Sequence, residues 1–447
     1  MRDVLTDAAD LLAGGEPPAP AHGEAAGLLR ALDYAGDGPE DAAARGNRVL
    51  LLRMAARLRR LFALPTPQAP GLVFLGGEAD PAILGPAFAD CPAGSLAGSG
   101  ARLRQAFEAC VGEAVEYLSQ FAQADDLVAA GSELPRIAPF PGADAPGWND
   151  GGVADGWVAA RRLNGDAQVL LPAGRCLRRA DPGGGVPPFA LSTGCAAGAT
   201  LADAALHGLL ELIERDAASL WWHGGRRGRA LTGAAGDVAA RFLAELRGGA
   251  GGRRSWVVDI TTDLGIPAVA AISVDSGGSD PGNDGFACGL AAGMTMAEAV
   301  RRALQEMCHI EIAYAVIAAK RAERGDDALN PADQRHLQRA RSIRADCPLL
   351  HPATHEEATG PAACAGDEAP PEGPAAWQLD WLVRRLDAAG VPTYLVDLTR
   401  PQFGIPACRV VAPDLQLEPC SLPGKRLLRA IRETGGGIIH SNGIPLL

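Results

Sequence analysis

The spacing of apolar residues changes character several times along the chain. From Val4 to Leu12 they recur at helical intervals and predict a short helix. The remainder of residues 1–46, rich in Ala, Gly and Pro, predicts little regular structure. Leu50, Leu51, Met54, Leu58 and Leu61 return to a helical period and predict a helix over residues 47–63. At Gly71-Leu72-Val73-Phe74-Leu75 the apolar positions become contiguous, and strands are expected from there on. Two later segments read alike. Val257–Thr261 leads through Gly265-Ile266-Pro267 to Ala268–Ile272, and Leu395–Thr399 leads through Gly404-Ile405-Pro406 to Ala407–Val411. Each predicts two apolar strands joined by a turn that Gly closes and Pro fixes. A further Gly443-Ile444-Pro445 stands near the end of the sequence. Residues 122–155, 176–191 and 355–377 read as connections, the last of low complexity around Pro370-Pro371. The division expected is a partly helical N-terminal extension, 1–69, and one domain, 70–447, of α/β (α+β) class with helices packed on sheets and internal pseudo-symmetry.

Superimposed on this is a polar pattern with a spacing of about a hundred residues. A loop glycine is followed by Ala at six, a small residue at ten and Glu at thirteen: Gly100, Ala106, Cys110, Glu113; Gly198, Ala204, Gly208, Glu211; Gly293, Ala299, Ala303, Glu306. Three residues on stand Glu116, Glu214 and His309, which share a helix face with the preceding Glu. Thirteen residues of helix cover about 20 Å, so a loop glycine and its own glutamate cannot both hold one small ligand. The copies must meet to form a site, and the small residues predict close approach to something else. Glu211 and Glu214 sit in Leu209-Leu210-Glu211-Leu212-Ile213-Glu214-Arg215, and Glu306 lies among Leu304, Met307 and Ile310, surroundings too apolar for a fully solvated face. Converging carboxylates raise one another's pKa unless a hard divalent cation joins them, and Mg²⁺ takes oxygen ligands together with substrate phosphates. Arg215 and Arg302 would supply fixed cations for phosphate oxygens. The bland alternative is helix packing with acids on a wet face.

Composition narrows the partners. The formal charge is −12 and 47% of residues are hydrophobic, which argues for a globular chain with a sizeable core and against a nucleic-acid surface. Arg226-Arg227-Gly228-Arg229 and Arg253-Arg254 are read as solvated faces. The ten cysteines form no C-x-x-C pair, and Cys110, Cys195 and Cys308 fall where small apolar residues are wanted. No signal peptide or membrane-length apolar run is present, so a cytoplasmic location is expected. There is no G-x-x-x-x-G-K-[ST], and Leu103 stands where a dinucleotide fingerprint would place its last glycine, so a nucleotide site here must be of an uncommon kind.

Ser192-Thr193-Gly194-Cys195-Ala196-Ala197-Gly198, followed by Glu211-Leu212-Ile213-Glu214-Arg215-Asp216, resembles the hallmark of YcaO-domain proteins. Gly98–Glu116 and Gly289–His309 resemble that family's other two ATP-site helices, and the likeness runs from about residue 70 onward. The resemblance implies ATP bound through Mg²⁺, with Glu113, Glu116, Glu211, Glu214 and Glu306 as metal-site acids. Arg215 and Arg302 match phosphate-contacting arginines, and Ser192, Gly194 and His309 fall at nucleotide-site positions. It implies activation of backbone amides in a ribosomally made precursor peptide. Azoline-forming cyclodehydration is the expected outcome, with thioamide formation as the alternative. A separate leader-binding or TfuA-like partner and a homodimer are expected with it. This sequence departs from the family pattern at Tyr117, where arginine is common, at Ala199, often asparagine, and at His309, usually glutamine. It ends Gly443-Ile444-Pro445-Leu446-Leu447 rather than in a P-x-P-x-P tail. Those departures also admit a non-catalytic scaffold. His207 and His223 are read as structural or surface residues.

Overall fold

The computed structural model describes residues 1–15, 19–35, 42–128, 132–137, 156–180, 192–275, 285–353, 370–418 and 422–446. The N-terminal region is more helical than its sequence predicts: α1 (Arg2–Leu12) is joined by α2 (Ala19–Ala31) and α3 (Ala42–Ala55). Alanine-rich segments need little apolar surface to stay helical, and here they find a partner. Leu5, Ala8, Leu29, Leu32, Val49 and Leu52 are buried in one cluster with Phe107 and Val111. The helix expected over 47–63 stops at Ala55, and Leu61 lies instead in strand β1 (Arg60–Leu64), opposite Gly77. Ladder hydrogen bonding to a neighbouring strand overrides the helical period. The 69/70 position falls between β1 and β2 (Val73–Ala79), which are paired.

β3 (Gly94–Gly100) completes an antiparallel sheet in the order β1-β2-β3 and leads into α4 (Leu103–Ser119). Next come β4 (Trp157–Arg162), β5 (Gln168–Pro172), the short β6 (Cys195–Ala197), α5 (Leu201–Trp222) and α6 (Gly233–Arg247). A second meander, β7 (Arg253–Asp259), β8 (Ala268–Asp275) and β9 (Ala287–Ala292), leads into α7 (Met296–Arg324). β10 (Tyr394–Asp397) and β11 (Ala407–Val411) then join a sheet ordered β5-β4-β10-β11-β6. The pseudo-symmetry is therefore threefold. β1-β2-β3-α4 and β7-β8-β9-α7 run continuously, while the third unit, β10-β11-β6-α5, takes its last strand and helix from earlier in the chain.

The two Gly-Ile-Pro turns occupy equivalent places, with Gly265 at φ 69° and Gly404 at φ 66°, a region where a side chain is strained. Asp259 and Asp397 accept from the amides of Thr261 and Thr399, each at 2.9 Å, and begin both turns alike. Gly443 also has positive φ, but no strand follows it among the described residues. Helix Ala375–Ala388 begins inside the stretch read as a low-complexity connection, and residues 129–131, 138–155, 181–191 and 355–369 of the expected connections lie outside the described residues.

Arg253 corrects the solvated-face reading. With Arg247 it brackets the buried carboxylate of Glu311, at 3.0 and 2.7 Å. Arg226 is largely buried too and has its pKa lowered by that burial, opposed by Asp263.

Candidate functional site

The template is the signature of one local device repeated three times. In each unit the strand entering the helix lies back along it, so the strand meets the helix at its third and fourth turns. Glu113 accepts from the amide of Ala97, Glu211 from Gly194 at 2.9 Å, and Glu306 from Leu290 at 2.7 Å. The small residues make this possible. A Cβ on Gly98 would lie 2.2 Å from Ala106 O and 2.3 Å from Cys110 N, and one on Gly289 only 2.1 Å from Met307 N. What the helices approach closely is each one's own strand. Thr200 with Asp203, and Thr295 with Glu298, form reciprocal caps that fix where α5 and α7 begin.

The three helices converge on one cleft of about 780 Å³, and Glu113, Glu116, Glu211, Glu214, Glu306, Arg215, Arg302 and His309 all line it. Its lining includes neither Ser192 nor Gly194. Gly194, at φ 85°, acts through Glu211 by offering its amide, and Ser192 O accepts from Cys195 N at 2.8 Å. These two sequence assignments therefore become indirect, because the first half of the hallmark segment packs behind the glutamate while Cys195, Ala196, Ala197 and Gly198 line the cleft.

Charge in the cleft is frustrated. Burial raises the pKa of Glu113 to about 7 against the pull of the Ala97 amide. Burial, then the charges of Glu211 and Glu113, hold Glu116 well above the usual carboxylate range, and Arg409 opposes them. Glu214 and Glu306 are raised too, by burial first, with Arg215 working against it in both. Arg215 lies 3.4 Å from Glu211 and 3.1 Å from Glu214, and despite its burial these carboxylates with Glu306 hold its proton more firmly than usual. Arg215, Arg302 and Arg409 set three positive charges against five acids, so a further cation is the component that would balance them. Among the described residues no three His, Cys, Asp or Glu side chains form a ready-made metal cage. Mg²⁺ takes carboxylate oxygens together with phosphate oxygens, and the cleft's glutamates supply the former. The residues present fit the Mg²⁺–nucleotide expectation.

His309 is half-buried, its ring set edge-to-face with that of Phe74 at 5.0 Å between centroids, and burial lowers its pKa to about 4. Its Nε2 has no hydrogen-bond partner among the described residues. The imidazole is therefore neutral and keeps one buried nitrogen unmatched at the cleft wall. The other departures differ in kind. Tyr117 points away from the cleft, donates to Pro92 O at 2.6 Å and packs on Phe121, whereas Ala199 lines the cleft and its carbonyl accepts from Asn47 Nδ2 at 3.3 Å.

Sequence reasoning missed several lining residues. His207, read as structural, lines the cleft with its pKa lowered by burial and by Arg302, while His223 does pair with Glu418, at 3.1 Å, away from it. Asn47, Arg48, Arg104 and Glu108 also line the cleft, and Arg409 stands behind Glu116. Arg409, 3% exposed, was findable: an arginine inside the apolar run Ala407–Val411 had to have a charged counterpart. The cysteines behave as read. Cys110, Cys195 and Cys308 are buried free thiols, each pushed up to about 12 by that burial. Among the described residues no helix is long and apolar enough to cross a membrane.

The sequence model of the YcaO cyclodehydratase family, described as ATP- and Mg²⁺-binding, matches residues 97–416. A solved heterocyclase in complex with substrate and cofactor superimposes with a TM-score of 0.62 at 22% identity, covering 86% of this chain and 53% of that one. YcaO from Methanopyrus kandleri, bound with AMPPCP and Mg²⁺, gives 0.56 at 18% identity over 83% of this chain and 90% of its own. An uncharacterised protein of Methanothermobacter thermautotrophicus is 27% identical over 285 residues, 62% of this chain and 69% of that protein. The chain spans about half the length of the heterocyclase it matches.

Proposed function

The chain belongs to the YcaO family, and we propose that it uses Mg²⁺ and ATP to activate backbone amides of a ribosomally made precursor peptide, forming azoline rings. The observation that carries this reading is the convergence of Glu113, Glu116, Glu211, Glu214 and Glu306 with Arg215 and Arg302 on one cleft. ATP provides the phosphoryl group that makes an amide oxygen a leaving group. A Cys, Ser or Thr side chain of the peptide then adds to the amide carbon, the oxygen departs with phosphate, and the peptide loses the elements of water.

In that scheme the chain's own residues position and neutralise charge. Glu113, Glu211 and Glu306, each pinned by a backbone amide of the segment that leads into its helix, would hold Mg²⁺ with Glu116 and Glu214. Arg215, held among the carboxylates, and Arg302, more exposed at the cleft rim, would face the transferring phosphoryl oxygens as cations. His309 Nε2 would meet a ligand atom.

The test is Glu211→Gln, which keeps an acceptor for the Gly194 amide. Mass spectrometry of the precursor after incubation with Mg²⁺ and ATP should show loss of water with the wild type and none with the variant. Undiminished turnover in a folded Glu211→Gln protein would end the proposal. Exchange of oxygen for sulfur when sulfide is supplied would replace azoline formation by thioamidation at the same site.

A further inference from the structure

A second surface stands apart from the cleft, at the far end of α5. The cleft takes its α5 lining between His207 and Arg215, and the helix then runs on to Trp222. There the helix Lys425–Thr434 packs Leu427 and Ala430 on Leu220, and three glycines lead from it into the short helix Ile438–Ser441. Gly435 and Gly436 have φ of 88° and 85°. Gly437 donates to His223 O at 2.7 Å, and a Cβ on it would fall 1.7 Å from Trp222 O. The turn is therefore clamped to α5, yet it carries two adjacent isoleucines, Ile438 and Ile439, that are 65% and 64% exposed. Leu428, 41% exposed, belongs to the same stripe. Ile431 follows it by one turn and lies 3.4 Å from a Cβ built on Gly436, and Ile439 lies 4.0 Å from one on Gly435. Apolar side chains held rigidly in water are organised in advance for a contact.

Beside this stripe the charge runs against the rest of the chain. The formal charge overall is −12, but four of the ten residues Lys425–Thr434 are basic and Glu433 is the single acid among them. Just after α5, Arg226, Arg227 and Arg229 line one shallow recess together with Trp221 and Asp259. Asp259 already accepts from the amide of Thr261. Arg226 is the group left over. Of the acids around it, Asp216 and Asp263 are taken by Arg426 at 2.8 and 2.6 Å, and Arg429 stands 3.5 Å from Asp263. Among the described residues the Arg226 side chain forms no hydrogen bond or ion pair, and Arg426 and Arg229 repel it. A half-buried guanidinium without a close anion is an incomplete ion pair.

We propose that this surface holds the precursor peptide by an acidic segment outside the residues that are modified, with a carboxylate seated against Arg226 and apolar side chains laid over Leu428, Ile438 and Ile439. The inference rests on the peptide-substrate reading above. Two other occupants fit less well. An isologous second copy would set one basic surface against another. A bilayer presents a smooth plane, whereas here the unpaired cation is recessed and the isoleucines project. A carboxylate on an extended chain reaches such a recess while its neighbours cover the projections. α5 also sets a distance. From His223 back to Glu211 is about 18 Å, which an extended chain crosses in about six residues. The acidic segment and the first modified residue are therefore separated by at least about that many.

Arg226→Gln and the paired change Ile438→Ser with Ile439→Ser test this in the full chain. Ile83→Ser is the control, an isoleucine 38% exposed in the turn Pro81–Leu84 after β2. Fluorescence anisotropy of the labelled precursor should show roughly a tenfold loss of affinity in each of the first two, the scale of one charged contact or two apolar anchors, and none in Ile83→Ser. KM for the precursor should rise by the same factor with kcat unchanged, and Mg²⁺-dependent binding of a non-hydrolysable ATP analogue should not change. Equal precursor affinity in the wild type and both variants would overturn the inference and leave the amide-activating reading standing. So would an equal loss in Ile83→Ser. Binding to phosphatidylserine vesicles that the serine variant abolishes, with precursor affinity intact, would assign the surface to a membrane and equally overturn it. A wild type that neither binds nor modifies the precursor would end both readings. The substituted isoleucines are exposed and Arg226 has no side-chain partner, so melting temperatures should match the wild type and losses of affinity report on the surface itself.

Discussion

Replacing Glu113 by Gln should stabilise the ligand-free protein at alkaline pH while weakening its stabilisation by MgATP. Burial holds this carboxyl at about 7 against an ordinary 4.5. Below pH 4.5 it is protonated in both the folded and unfolded chains and costs nothing. As pH rises through about 7, the folded protein must ionise a group that the unfolded chain has already ionised. Stability is therefore lost across that window and is flat above it. The gap corresponds to about 3 kcal/mol, trimmed toward about 2 by water in the open cleft. Gln keeps an acceptor for the Ala97 amide, so the variant removes the charge and little else. Glu116, raised in part by Glu113, relaxes in the same direction and adds to the difference. Urea unfolding between pH 5 and pH 8 should show the wild type losing about 2–3 kcal/mol more than Glu113→Gln. Mg²⁺ with an ATP analogue should restore the wild type at pH 8 and act less on the variant. Parallel pH curves for the two proteins would refute the view that an unneutralised acid is built into the cleft.

Three further outcomes follow from the same geometry. His309→Leu should raise the melting temperature without ligand, because it deletes a buried unmatched nitrogen worth about 1–3 kcal/mol. It should also cut ATP-analogue affinity about tenfold, while His309→Gln retains affinity; a leucine variant that binds normally would make His309 a core residue only. On α4, Gly98→Ala in the facing strand should cost about 2–3 kcal/mol, since its Cβ meets backbone atoms at 2.2 and 2.3 Å. Gly112→Ala, with nothing within 4 Å, should be neutral or stabilise by about 1 kcal/mol. Chemical denaturation of the pair checks both, and equal costs would contradict the packing account. Glu311→Gln should destabilise by about 3–5 kcal/mol in the same assay by leaving Arg247 and Arg253 with an uncharged partner in a buried setting.

What could be read from the sequence divides along the length of chain each feature spans. The glycine–glutamate template was legible because each copy closes within one strand–loop–helix hairpin, Ala97 to Glu113, Gly194 to Glu211 and Leu290 to Glu306. The Gly-Ile-Pro turns were legible for the same reason. That the two repeats are opposite ends of one unit was not. Gly198 N donates to Pro406 O and Gly293 N to Pro267 O, each at 3.0 Å. The first of these contacts crosses most of the second half of the chain. Backbone pairing such as Cys408 with Ala196 carries no residue code, so a unit split between residues 195–222 and 394–411 looks like two unrelated fragments. Asn47 and Arg48 were invisible for a different reason, since polar residues on a helix read as solvated until the helix is docked. Between β1 and β2 the first unit has no Gly-Ile-Pro, and that unit is the one whose helix α4 packs with α1, α2 and α3. The symmetry is broken at the same place where a fourth wall is added to the cleft. An N-terminal helix laid over the first unit and the Gly-Ile-Pro turn of the third makes the three otherwise similar helices unequal, which is what a ligand with two chemically different ends requires of its site.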